Sequence, residues 1–190
     1  EQTIQCIRKY LLDTSMILDG IPLYFNKEKL QTKKGLIDYT KLFSFVSKDK
    51  KEWFEGSFGT QDEIHFCIVP SCRKNNLSSI SFVNGIHTKE GGIHIDIFLQ
   101  KLFLCIGPKL KKYNLTLKDF KHYLTVFMKV SVKNPSFSSQ SKTKLVGCKD
   151  NLQKLISFDK EMSEKVASKL MKWSFINDIK DCLLYTSDAA

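Results

Sequence analysis

The stretch from residue 79 to residue 112 constrains this chain more than any other. A strand-like run (79–84) passes through a glycine turn (85–92). The stripe Ile95, Phe98, Leu99, Leu102, Ile106 and Leu110 then follows at helical spacing, giving a helix over 93–112 with one broad apolar face. A long one-sided stripe needs a flat apolar partner, and β-patterned runs lie on both sides of it. Residues 53–58 and 63–69 bracket the turn-rich Gly59-Thr-Gln-Asp62 and read as an antiparallel pair, and 123–131 reads as a further strand. Strands and helices in this order predict an α+β domain: a mostly antiparallel sheet of about four strands with helices on one face. Pro108 makes the last turn of the long helix its weakest part.

The flanks are simpler. Ile4, Ile7, Leu11 and Leu12 form a helical stripe over 1–15 that starts without a cap, as if inside a longer pattern. Residues 23–32 read as a small hairpin. Gly35 precedes a short amphipathic helix carrying Leu36, Ile37, Tyr39, Leu42 and Phe43. The stretches 48–52 and 70–76 read as connectors. A helix is expected over 157–182, with Ser157, Asp159 and Ser163 as possible caps and Val166, Leu170, Trp173 and Ile176 as its apolar stripe. Residues 183–190 lack periodicity and read as a non-native or disordered tail, which removes Tyr185 from consideration as a nucleophile.

The charge balance points to a polyanion. The formal net charge is +10, and of 30 basic residues only Arg8 and Arg73 are arginine. Lysine is a compact, hydrated charge suited to phosphates, whereas base edges favour arginine's planar fork. Any nucleic-acid contact is therefore expected at the backbone, without sequence reading. Six scattered cysteines with no C-x-x-C pair suggest a reducing, intracellular setting. His65, His87, His94 and His122 lack the paired spacing of a zinc site, so no metal is expected.

One polar segment carries candidate chemistry. Asn134-Pro135 ends the strand at 123–131 and opens Ser136-Phe-Ser-Ser-Gln-Ser-Lys-Thr-Lys144. If the loop is extended, Gln140 and Lys142 point the same way. An amide and an ammonium then converge on one anion, with Ser139 and Ser141 as further donors. By composition alone the same segment reads first as a solvated Ser/Lys connector.

The segment 137–145, with Gln140-Ser141-Lys142 at its centre, resembles the Gln-Thr-Lys loop of type IIA DNA topoisomerases, the family of eukaryotic topoisomerase II and the gyrase B subunit. Serine at 141 departs from that pattern only by a methyl. A second block, Ser79-Ile-Ser-Phe-Val-Asn-Gly-Ile-His-Thr-Lys-Glu-Gly-Gly-Ile-His94, is similar to the family's SFVN…T..GG.H segment and lies upstream of the first in the family order. The resemblance implies a transducer domain of the ribosomal-protein-S5-domain-2-like type over 21–156, with a left-handed βαβ crossover. Residues 1–20 would be the last helix of a preceding GHKL ATPase domain, and 157–182 a helix towards the DNA-cleavage core. It implies that Gln140, Ser141 and Lys142 meet the γ-phosphate of ATP, Lys142 neutralising its charge catalytically. ATP and Mg2+ would be held mainly by the ATPase domain. Lys109, Lys111 and Lys112 fall where the family carries a lysine-rich loop facing duplex DNA. The full-length protein would be a homodimer, nuclear if eukaryotic.

No glycine-rich nucleotide lid, acidic metal cluster or credible catalytic tyrosine is present, so these residues alone are expected neither to hydrolyse ATP nor to cut DNA. Three other readings stay open: a lysine-rich nucleic-acid-binding module without a nucleotide role, a mismatch-repair or chaperone-type GHKL transducer, and a purely structural segment.

Overall fold

The computed structural model describes residues 1–18, 21–30, 34–46, 51–61, 63–71, 79–113 and 115–179. Gln31 and Thr32 of the expected hairpin, most of both connectors, Asn114, the side chain of Lys112, and everything from 180 through the tail lie outside the described residues.

The chain opens with helix α1 (Gln2–Ile17), the hairpin β1 (Leu23–Phe25) and β2 (Glu28–Leu30), and helix α2 (Leu36–Thr40). Asn26 and Lys27 both take positive φ, which matches the strand twist at a two-residue hairpin turn. Then come β3 (Phe54–Phe58), β4 (Ile64–Pro70), β5 (Ser79–Val83), β6 (Ile86–His87), α3 (Ile93–Leu110), a 3-10 turn (Lys111–Tyr113), α4 (Leu117–Lys121) and β7 (Leu124–Val130). The last part holds β8 (Ser136–Phe137), β9 (Leu145–Gly147), α5 (Leu152–Leu155) and α6 (Lys160–Leu170).

The central sheet runs β3-β4-β7-β5-β6. Its pairs are antiparallel except β5 with β7, where Ser79 stands beside Val126 and Val83 beside Val130. A parallel pair requires a long crossover, and α3 lies within it. Among the described residues the sheet therefore has five strands rather than about four. The extra one is β6, formed because Asn84 and Gly85, both at positive φ, turn the chain back immediately after β5.

Helices cover both faces of the sheet, not one. On the first face Phe66, Ile68, Val126 and Met128 pack in one core with Phe98 and Leu102 of α3 and Val166 and Leu170 of α6. On the second face Cys67, Val69, Phe82 and Phe127 pack with Met16 of α1 and Leu36 and Tyr39 of α2. The cause is in β4 and β7, which are apolar on alternate and intervening positions alike, so neither face can be left to water. The α1 stripe behaves differently from its periodicity: Ile4 and Ile7 are exposed, and the buried positions are Asp13, Ser15 and Met16. Asp13 is held by the Tyr39 hydroxyl at 2.7 Å and Lys9 at 2.7 Å.

Pro108 is accommodated inside α3. The carbonyl that it leaves without a donor belongs to Leu104, whose side chain is 68% exposed, so water can take the place of the missing N–H. The helix expected over 157–182 is interrupted. Asp159 caps α6 by accepting from the Met162 N–H at 2.7 Å, α6 ends at Leu170, and helical backbone resumes only at 175–179. Trp173 and Ile176 are nonetheless buried in the first core.

Candidate functional site

Strands β8 and β9 form a two-stranded ribbon that presents the 138–144 loop. The Ser138 N–H donates to the Lys144 carbonyl at 3.0 Å and closes the loop's neck. Within it, the Lys142 N–H donates to the Ser139 carbonyl at 3.0 Å, so 139–142 is a tight turn and not an extended strand. The alternation that would aim Gln140 and Lys142 in one direction therefore does not apply, and Lys142 sits in left-handed backbone with φ 56°. The Ser139 and Ser141 hydroxyls are 2.7 Å apart and share a hydrogen bond, which stiffens the turn. Gln140, Ser141 and Lys142 are all exposed. The Lys142 ammonium lies 6.0 Å from the Phe137 ring centroid, and no carboxylate pairs with it among the described residues. The turn thus carries an exposed cation without an acidic partner among the described residues, an exposed amide and two hydroxyls, groups of the kind from which a phosphate accepts hydrogen bonds.

The base of this loop is fastened to the start of α3. The Glu90 N–H donates to the Thr143 carbonyl at 2.9 Å, and the Leu145 N–H donates to the Gly91 carbonyl at 3.1 Å. Gly92 and Leu145 form a parallel bridge. Contact this close needs glycine: Gly92 has φ 135°, and a Cβ there would stand 2.2 Å from the Leu145 carbonyl oxygen. The two sequence blocks, separated by more than forty residues of chain, thus meet in one junction. Sequence reasoning missed Glu90, Gly91, Gly92, Thr143 and Leu145 as the clamp, although the Gly91-Gly92 pair was a visible signal of close backbone approach.

The lysine tract is elsewhere. Helix α3 has 18 residues and is about 27 Å long, with the clamp at its first turn and Lys109 in its last. Lys109 and Lys111 are exposed, and the Lys109 ammonium donates to the Ser168 hydroxyl of α6 at 3.3 Å. Gln140–Lys142 and Lys109–Lys111 are therefore two separate groups of candidate residues, near opposite ends of one helix.

Two of the histidines serve the scaffold. The His87 ring stacks on Phe82 with centroids 4.9 Å apart. His94, in the first turn of α3, is fully buried with no hydrogen-bond partner on either ring nitrogen among the described residues, and burial pushes its pKa down to about 4, so it is neutral near pH 7.

The DNA gyrase B family model matches residues 25–179. The chain belongs to the DNA gyrase B family of type IIA topoisomerases. DNA topoisomerase 2 of Invertebrate iridescent virus 6 is 32% identical over 186 residues, which is 93% of this chain and 15% of the viral protein. The mitochondrial DNA topoisomerase 2 of Dictyostelium discoideum is 29% identical over 120 residues, 58% of this chain and 9% of its own length. The chain thus spans a small part of these gyrase B family relatives. Its fold is similar to part of the structure of the ATPase and transducer domains of DNA topoisomerase II from Balamuthia mandrillaris, with TM-score 0.75 at 20% identity over 95% of this chain and 44% of that one. The ATPase region of Saccharomyces cerevisiae topoisomerase II is similar, with TM-score 0.68 at 20% identity over 95% of this chain and 43% of that one.

Proposed function

We propose that this chain is the transducer portion of an ATP-dependent type II DNA topoisomerase, reading the γ-phosphate through the 139–142 turn and relaying nucleotide state to DNA strand passage. The observation that carries this reading is the clamp between the 138–144 loop and the first turn of α3, a rigid helix whose far end holds the lysine tract. A change in the loop's contacts would act on α3 directly, through two backbone hydrogen bonds and a glycine-dependent backbone contact.

In this reading Lys142 donates a charge-assisted hydrogen bond to a terminal phosphate oxygen, and the Gln140 amide donates a second. The Ser139–Ser141 hydrogen bond holds the turn in the shape that presents them. ATP with Mg2+ supplies the phosphoryl chemistry when bound, mainly on an adjoining GHKL ATPase domain. What this chain's residues do is bind the terminal phosphate and register its loss. Once that anion leaves, the contact that favours one arrangement of the two domains is gone, and the equilibrium between arrangements shifts. The partners are duplex DNA, met at its backbone by Lys109, Lys111 and Lys112, the flanking ATPase and cleavage-core domains, and a second copy in a homodimer. The setting is intracellular, and nuclear in a eukaryotic host.

The test is Lys142→Ala in the full-length enzyme. Losing one charge-assisted contact removes about 1.5–3 kcal/mol, and it should appear in kcat more than in KM because the contact strengthens as charge develops on the phosphoryl oxygens. Gln140→Ala should have the same effect in milder form. Intact turnover in Lys142→Ala, with turnover abolished in Lys144→Ala, would show the loop's register to be wrong.

A further inference from the structure

Outside the loop and the α3 tract, a group of lysines faces a groove of about 690 Å3 between the start of edge strand β3 and the C-terminal half of α6. It is lined by Lys51, Trp53 and Glu55 on one side and by Lys165, Lys169 and Lys172 on the other. The three α6-side lysines are spaced i, i+4, i+7, so they form one ridge on the face opposite the buried Val166, Ala167 and Leu170.

Most acidic groups near the ridge are already engaged. Glu55 accepts from the Trp53 indole at 2.8 Å, and Glu161 pairs with Lys165 at 2.5 Å. Lys169 and Lys172 are exposed and pair with no carboxylate among the described residues. The acidic residues of α6, Glu161 and Glu164, sit in its N-terminal half, and the basic ridge continues past its C-terminus.

This ridge is continuous with the lysine tract at the end of α3. Cys105 of α3 lies beside Ser163 of α6 (3.4 Å), and Lys109 lies beside Ser168 (3.3 Å), so the two helices run side by side in the same direction. Their C-terminal ends therefore emerge at one end of the molecule. Lys109 and Lys111 near the end of α3, and Lys169 and Lys172 near the end of α6, share that end.

We infer that the C-terminal ends of α3 and α6 form one phosphate-tracking surface for duplex DNA, in which Lys169 and Lys172 make backbone contacts as direct as those of the α3 tract. The inference rests on the DNA-linked reading above and adds residues to which that reading gives no role. The ridge from Lys165 to Lys172 spans about 10 Å at helical rise, a length over which a duplex carries about six phosphate charges. A rigid row of hydrated ammonium groups suits that repeat. With no arginine in it, the row has no planar fork for base edges.

The experiment measures the affinity of this chain for two 20-base-pair duplexes of unrelated sequence, by fluorescence anisotropy, between 50 and 200 mM salt. Lys169→Gln/Lys172→Gln should lower the slope of log K against log salt by about 1.8 on both duplexes, at about 0.9 per contact. Over that fourfold range of salt, the variant's affinity should fall about twelvefold less than that of the unsubstituted chain. Its thermal unfolding should be unchanged, since both side chains are exposed and glutamine is a good helix former. Glu161→Gln, which releases Lys165, should raise the slope. An unchanged slope in the double variant overturns the inference. If Lys109→Gln/Lys111→Gln/Lys112→Gln then lowers the slope while the α6 variant does not, the DNA reading stands and only this surface falls. If the unsubstituted chain shows no salt-dependent duplex binding, both fall. A polyglutamate peptide is the control polyanion, and a double variant weakened towards it but unaltered towards both duplexes would assign the ridge to an acidic protein partner.

Discussion

Replacing Gly92 with alanine should uncouple the loop from α3 at a single atom. The backbone at Gly92, with φ 135° and ψ −167°, lies in a region essentially restricted to glycine, and holding alanine there costs about 1–3 kcal/mol. The new Cβ would also stand 2.2 Å from the Leu145 carbonyl oxygen and 2.6 Å from its nitrogen. Both are backbone atoms, so β9 itself must move by about 1 Å to restore ordinary contact. That movement strains the Leu145 N–H to Gly91 and Glu90 N–H to Thr143 hydrogen bonds, each worth about 1 kcal/mol. The sum is a loss of about 3–5 kcal/mol, a large share of the total stability of an ordinary domain. Urea denaturation of the chain and the variant, followed by far-UV circular dichroism, reads it directly. Gly107→Ala is the matched control, because nothing lies within 4 Å of a Cβ there. Its gain in helix propensity is offset by the restriction on a residue preceding proline, so it should change stability by about 0.5 kcal/mol or less. A loss below about 1 kcal/mol in Gly92→Ala would refute the clamp as described.

Burial holds the His94 pKa near 4 against an ordinary 6.5, so the unfolded chain binds more protons in that interval. The stability that neutral His94 contributes is complete above pH 6.5 and is lost as pH falls towards 4, by up to about 3 kcal/mol. Unfolding free energies at pH 7 and pH 4.5 should therefore diverge less in His94→Leu than in the unsubstituted chain, and equal divergence would place the titration elsewhere. Tyr39→Phe deletes the hydroxyl that Asp13 accepts from and leaves a nearly buried carboxylate with Lys9 alone, which should cost about 2 kcal/mol in urea unfolding. Thr116→Ala removes a capping box in which Thr116 and Asp119 satisfy each other's backbone N–H, for a loss of about 1 kcal/mol by thermal unfolding. In the complete enzyme, replacing Lys109, Lys111 and Lys112 together with alanine should depress DNA stimulation of ATP hydrolysis and leave the basal rate near normal. An unchanged stimulation curve would leave these lysines as an ordinary solvated helix end with no role towards DNA.

By itself, the sequence determined the local elements and their chemistry. The α3 stripe, the β3–β4 pair and β7 follow from short-range periodicity, although β7 ends at Val130, five residues before the Pro135 expected to stop it, and the α6 cap at Asp159 was readable as well. So was the lysine-over-arginine bias, a property of composition that needs no fold. The identity of the two motif blocks was equally legible, because each is contiguous. What only the tertiary structure decided depends on distance between residues remote in the chain. The second covered face arises because α1 and α2 fold back on a sheet whose central strands are apolar on both sides, and periodicity does not say which layer an early helix will join. The fifth strand exists because two positive-φ residues reverse the chain at once, and a two-residue strand is too short to carry a pattern. The 139–142 turn is tight because of a hydrogen bond from Lys142 back to Ser139, which parity in an extended loop does not anticipate. Above all, the junction of Gly92 with Leu145, and of Lys109 with Ser168, are contacts between segments more than fifty residues apart. They exist because side-chain packing seats α3 between the loop and α6, and no window of local sequence contains that information.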